Sequence, residues 1–154
     1  MITSFSEMSK DSRIWIYQSN RKFIASELEE LNSKIVAFLN TWASHGSEML
    51  CSYQIKYDRF IIIALDETKT SASGCSIDTL QNIIQKIEKE LIFSLMNRLN
   101  VFCKIEDEIL CIPSFKLGSV ADKDTLFYDL TILTKSDLNT YLKPISEGWC
   151  AHLV

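Results

Sequence analysis

Glycine is scarce in this chain, four residues among 154, and none of them opens the G-x-x-x-x-G-K-[ST] loop whose backbone N–H groups and lysine hold nucleotide phosphates. The five cysteines, Cys51, Cys75, Cys103, Cys111 and Cys150, include no C-x-x-C pair, and their odd number fits neither a disulfide framework nor a zinc site. No metal and no cofactor is therefore expected, and most of the thiols read as small buried hydrophobes. Positive charge is also in short supply: the net charge is −4 and the basic residues are scattered, so the stripe that phosphate backbones require is missing and nucleic acid is not an expected partner. No apolar run approaches the ~20 residues of a membrane helix, and the opening segment Met1 to Lys10 is too polar for a secretory signal. A cytoplasmic protein without membrane contact is expected.

What is present is an ordinary globular composition, 47% hydrophobic and 23% charged, in a length that buries a core without staples. With no internal repeat and no linker, the chain reads as a polar leader over 1–12 and a single α+β domain over 13–154. Arg13 to Gln18 is apolar on both faces of a strand, as in a central strand covered on two sides. Ser26-Glu27-Leu28-Glu29 reads as a capping box, followed at helical spacing by Leu28, Leu31, Ile35, Phe38, Leu39 and Trp42. Met49 to Tyr57 alternates, with Cys51, Tyr53, Ile55 and Tyr57 on one face, the pattern of a half-exposed edge strand. After a turn at Asp58-Arg59, Phe60 to Leu65 is again apolar on both faces and ends at Asp66.

A Ser- and Thr-rich loop then leads to Ser76 as the expected cap of a second helix, with Asp78 in its first turn and Ile77, Leu80, Ile83, Ile84, Ile87, Leu91 and Leu95 inward. Val101 to Ile105 and Ile109 to Ile112 flank Glu106-Asp107-Glu108, which predicts a hairpin with a three-residue loop and Cys103 opposite Cys111, without a bond. Leu126 to Leu133 reads as a further strand, and Ser136 as the cap of a short helix that ends before Pro144. The order β-α-β-β-α-β matches a ferredoxin-like split βαβ core with a mainly antiparallel sheet, in which the strands around Ile14 and Ile62 are neighbours and the one around Tyr53 lies outside the latter. Extra strands and a short helix extend it at the C-terminus. Some other α+β sandwich of the same elements is the competing arrangement.

That topology brings two distant segments to one edge of the sheet: Thr41 to Gly46, which holds His45, and Asp66 to Asp78. A helix start preceded by Gly74 offers backbone N–H groups and a positive dipole, the ingredients of an anion site, so Trp42, Ser73, Gly74, Cys75 and Ser76 are candidate ligand-binding residues for a small anion or metabolite. The alternative is a thiol enzyme with Cys75 as nucleophile, His45 as base and Asp66 orienting that base. Structural roles compete with both: Gly74 opening a turn, Cys75 packed, Ser76 capping. Gln18, Asn20 and Arg21 face the Asp58-Arg59 turn, where a carboxylate site or a plain exposed ion pair would fit. Trp15 and Tyr17 are expected on the sheet face away from the helices, a surface for a homodimer if nothing covers it, and Trp42 and Trp149 read as core residues.

The segments Arg13 to Arg21, Trp42-Ala43-Ser44-His45-Gly46, Tyr57-Asp58-Arg59-Phe60 and Ala72 to Asp78 resemble those of an uncharacterised family of small bacterial proteins, from Arg13 to the C-terminus. That family often carries the label "ABC transporter ATPase". The label implies a nucleotide-binding loop that this sequence does not contain. The resemblance supplies no catalytic residues.

Overall fold

The computed structural model describes residues 1–44 and 46–154, and the chain divides into two compact units, Met1–Met96 with Leu133–Ser136, and Asn97–Ile132 with Asp137–Val154. In the first unit the chain runs β1 (Arg13–Gln18), α1 (Ala25–Thr41), β2 (Ala43–Ser44), β3 (Ser47–Glu48), β4 (Leu50–Lys56), β5 (Phe60–Asp66) and α2 (Gly74–Leu91). Its main sheet has the order β1-β5-β4 and is antiparallel throughout, with Ile16 opposite Ile62 and Tyr53 opposite Ile63. The continuously apolar β5 is the middle strand and the alternating β4 the outer one, as their patterns predict.

Both helices pack on one face of this sheet. Leu31, Ile35 and Leu39 of α1 and Leu80, Ile84 and Ile87 of α2 meet Ile61, Ile63 and Leu65 in one core. Tyr17 belongs to that core, and Trp15 packs against it with its ring 5.8 Å from that of Trp42. Both side chains thus point toward the helices, which corrects the expected outward partner face. The reason is alternation: β1 is apolar at each position from Ile14 to Tyr17, so its pattern leaves its orientation open, and the face opposite the helices takes Ile14, Ile16 and Gln18, all buried.

α1 starts two residues earlier than a Ser26-capped helix, with Ile24 as its N-cap. The Glu27 carboxylate accepts the Ile24 N–H at 3.0 Å and a two-pronged bond from Arg21 at 2.8 and 2.7 Å. The Arg21 guanidinium, aided by the Ile24 amide, holds the Glu27 carboxyl at about 2. Arg21 is therefore committed to a helix start rather than to a ligand. α2 ends at Leu91, where Ile92 turns left-handed, so Leu95 reaches the core from a loop. Glu88 fastens that loop by accepting the Leu95 and Met96 N–H groups at 2.7 and 3.2 Å.

The leader is part of the same unit. Met1–Thr3 lies along β4, with the Cys51 N–H donating to the Met1 carbonyl and the Thr3 N–H to the Cys51 carbonyl, both at 3.0 Å. Lys135 Nζ pins the next turn by donating to the Phe5 and Met8 carbonyls at 2.7 Å each. On the far edge of β1, the Gln18 N–H donates to Leu95 and the Ile14 N–H to Leu133. A ferredoxin-like sheet would place its fourth strand there, but that strand belongs to another sheet.

The second unit is built on that other sheet. It contains β6 (Asn100–Ile105), β7 (Glu108–Pro113), α3 (Leu117–Val120), β8 (Leu126–Tyr128) and β9 (Leu142–Pro144), in the antiparallel order β7-β6-β8-β9. Glu106 and Asp107 both have positive φ, 52° and 63°, the mark of a two-residue type I′ turn. Cys103 therefore pairs with Leu110, and Cys111 with Phe102, one position away from the facing pair expected of a longer loop. All five cysteines are free, and burial pushes the Cys51 and Cys103 thiols up to about 11. β8 stops at Tyr128, well short of Leu133, because Asp129 bends the chain by accepting the Thr131 N–H at 3.0 Å and pairs with Lys143. Ser136 sits in a 3-10 turn, Lys135–Asn139, in place of the expected α-helix, and Trp149 is 40% exposed rather than core. The core of this unit gathers Val101, Cys103, Ile112, Leu117, Phe127, Ile145 and Cys150.

Candidate functional site

β5 delivers Asp66 to the end of the sheet, and the residues that follow fix it there. Asp66 Oδ1 accepts both the N–H and the hydroxyl of Thr68, at 2.9 and 2.7 Å, and these bonds hold its carboxyl below the usual carboxylate range. Glu67 likewise accepts the Ala72 N–H at 2.9 Å. The loop then enters α2 through a reciprocal cap. Ser73 Oγ accepts the Ser76 N–H at 3.1 Å, and Ser76 Oγ accepts the Ser73 N–H at 2.8 Å. Ser73 is thus the N-cap, three residues before the Ser76 expected in that role. Serines at both positions permit the earlier start, and Gly74 and Cys75 become the first helical residues while Asp78 falls beyond the first turn.

α1 ends at Thr41, and its C-cap Trp42 is 2% exposed and donates its indole N–H to the Ser76 carbonyl at 2.9 Å. This bond draws the segment after α1 onto the first turn of α2. It also assigns Trp42 and Ser76 a structural part: both are buried and spend their polar atoms on each other or on the cap, so neither presents a group to a ligand. Ser73 is half-buried and occupied as cap. Gly74 and Cys75 are exposed, and among the described residues nothing accepts their N–H groups. A Cβ placed on Gly74 would meet no atom within 4 Å, so the start of the helix is open. Of the residues considered for thiol chemistry, Cys75 is the one exposed cysteine of the five, Asp66 is turned into its own loop, and His45 lies outside the described residues.

The same end of the sheet carries two clefts that sequence reasoning missed. One, of about 200 Å³, is lined by Met1, Glu48, Asp66, Thr68 and Lys69 among others, and the second, of about 180 Å³, by Ser9, Asp11, Ser12, Asp66, Glu67 and Thr68. Only the Asp66 loop could have been found from the sequence. Met1 of the first cleft and Ser9, Asp11 and Ser12 of the second arrive with the leader, which carries no periodic signal. Among the described residues no cluster of three or more His, Cys, Asp or Glu could hold a metal ion, and no helix is long and apolar enough to cross a membrane. The chain matches no family model, no curated protein and no solved structure.

Proposed function

We propose that this chain is a small cytoplasmic, non-catalytic binding module that holds a small anion at the start of α2. The observation that carries the reading is the pair of backbone donors at Gly74 and Cys75, without internal acceptors, at the open, positive end of an 18-residue helix. The Trp42 bond and the Ser73–Ser76 cap keep this turn rigid, so a ligand meets donors already in place. The reading keeps the resemblance to small bacterial proteins but not the ATPase label, because no phosphate-binding loop of that kind occurs in the chain.

Gly74→Pro tests it. Proline is tolerated at the first helical position, and Ser73 already has the extended backbone, φ −93° and ψ 165°, that a residue before proline adopts. The variant removes one donor and leaves the helix. Titration with inorganic phosphate, followed by the amide resonances of residues 74–76, is expected to show saturable shifts in the wild type and about tenfold weaker binding in Gly74→Pro, as the loss of one charge-assisted bond implies. Equal shifts in both proteins would remove the helix start as the site.

The exposure of Cys75 favours one second reading, a thiol enzyme. In a binding module, iodoacetamide is expected to alkylate Cys75 ahead of the four less exposed thiols, at a rate that His45→Ala leaves unchanged. A fall of about tenfold or more in that variant, read by mass spectrometry, would favour a histidine-activated thiol instead.

A further inference from the structure

The second unit carries its two most exposed large apolar side chains at one end, each beside a cation. There β6 begins and β7 ends, with Asn100 opposite Pro113, and the Ser114 N–H donates to the Leu99 carbonyl at 2.8 Å. That bond joins residues 97–99 to the turn Ser114–Lys116. Leu99 is 69% exposed and Phe115 82%. Arg98 and Lys116, their neighbours in the chain, are exposed too, and Lys116 Nζ lies 5.6 Å from the centre of the Phe115 ring. Neither cation forms an ion pair among the described residues. No Asp or Glu occurs from Asn97 to Ile105 or from Ile109 to Ala121, in a chain that has 20 of them. Asp129, which follows β8 toward this end, is buried and paired with Lys143 at 3.0 Å. The acidic turn Glu106-Asp107-Glu108 stands at the other end of the hairpin, about 17 Å away by strand rise and beyond the ~10 Å screening length of dilute salt.

We infer that this end of the second unit docks on the surface of an anionic lipid bilayer, with Leu99 and Phe115 entering the interface and Arg98 and Lys116 set against the headgroup phosphates. Free cations with no carboxylate among them complement a negative surface. Side chains exposed to this degree stand out from the protein instead of walling a groove. A protein partner would need a pocket shaped for each, whereas a fluid bilayer takes in protruding apolar groups without one. Apolar insertion and basic residues are the two signals that reversible attachment combines, and here they alternate within a few residues. Docking of this kind needs no membrane-length apolar run, so the lack of one in the sequence does not bear on it.

The test is co-sedimentation of the full chain with vesicles of phosphatidylcholine alone and of phosphatidylcholine with about 30% phosphatidylserine. Binding to the anionic vesicles is expected, at least about tenfold weaker on the neutral ones and weakened by salt of about 0.5 M. The double variant Leu99→Ser with Phe115→Ser, and separately Arg98→Gln with Lys116→Gln, should each bind about tenfold more weakly or worse. Both pairs lie on the surface, so both variants should melt with the wild type. No binding to anionic vesicles, equal binding to neutral ones, or binding that both variants retain would overturn the assignment. So would vesicle binding that Gly74→Pro abolishes, which would trace it to the start of α2. Self-association of the wild type in sedimentation velocity, lost in the Leu99 and Phe115 variant, would give the surface to a second copy of the chain instead.

Discussion

Gly148→Ala is expected to destabilise the unit built on β6–β9 by about 3 kcal/mol, at the upper end of what overpacking a core costs. A Cβ on Gly148 would stand 2.1 Å from Phe127 Cζ and 2.4 Å from Cε1, well inside van der Waals contact. Backbone conformation is not the issue, since φ at Gly148 is −115°, a value any residue adopts. The obstacle is the ring. Phe127 is 1% exposed and sits among Val101, Cys103 and Ile145, so it has no free volume to retreat into. Phe127→Leu removes the distal ring atoms, and Gly148→Ala added to Phe127→Leu is expected to cost clearly less than in the wild type. Urea unfolding of the four proteins measures this coupling. A single-variant loss under about 1 kcal/mol would mean that the 3-10 turn carrying Gly148 moves aside easily.

Trp42→Ala should cost about 4 kcal/mol, within the range for removing a large buried aromatic. The indole packs edge-on against Trp15 at 5.8 Å and against Phe38 at 5.5 Å, and its N–H reaches the Ser76 carbonyl. Three elements, α1, β1 and the first turn of α2, thus share one side chain. Trp42→Phe, which keeps an aromatic ring but drops the indole N–H, is expected to lose about half as much, because packing rather than the hydrogen bond supplies most of the effect. Hydrogen exchange gives the second readout: in Trp42→Ala the amides at the start of α2 should exchange faster relative to those near Ile87, since the turn has lost its anchor. Uniform acceleration along the whole helix would show that Trp42 stabilises the unit without positioning the Gly74 corner.

The strand order of the first unit was legible because burial on two faces and burial on one leave different marks. Phe60 to Leu65 has no polar position, while Ser52, Gln54 and Lys56 interrupt β4 at every second residue, and the sheet places them as middle and edge strands. The hairpin at Glu106-Asp107 was legible as a hairpin but not in register. Neither residue is glycine, so nothing local announces that both adopt positive φ, and one residue of loop length moves Cys103 from Cys111 to Leu110. At the site, the open helix start near Gly74 could be found. The parts of Trp42 and Ser76 could not, because the bond between them joins residues 34 apart and is encoded in neither neighbourhood.

Consecutive residues by themselves determined β1, α1, β4, β5, α2 and the β6–β7 hairpin as elements, the central place of β5, the absence of a phosphate loop and of a disulfide framework, and the location of an exposed helix start. These are properties of spacing and composition within one turn or one strand. Only the tertiary structure decided that Trp15 and Tyr17 face the helices, that β6 joins a second sheet, and that Ser9, Asp11 and Ser12 stand beside Asp66, Glu67 and Thr68. A strand apolar on both faces carries no label for inside and outside, so its orientation is chosen by what packs on it. A leader of polar residues carries no periodicity at all, and Met1–Thr3 finds its place through backbone hydrogen bonds along β4, which any sequence can form.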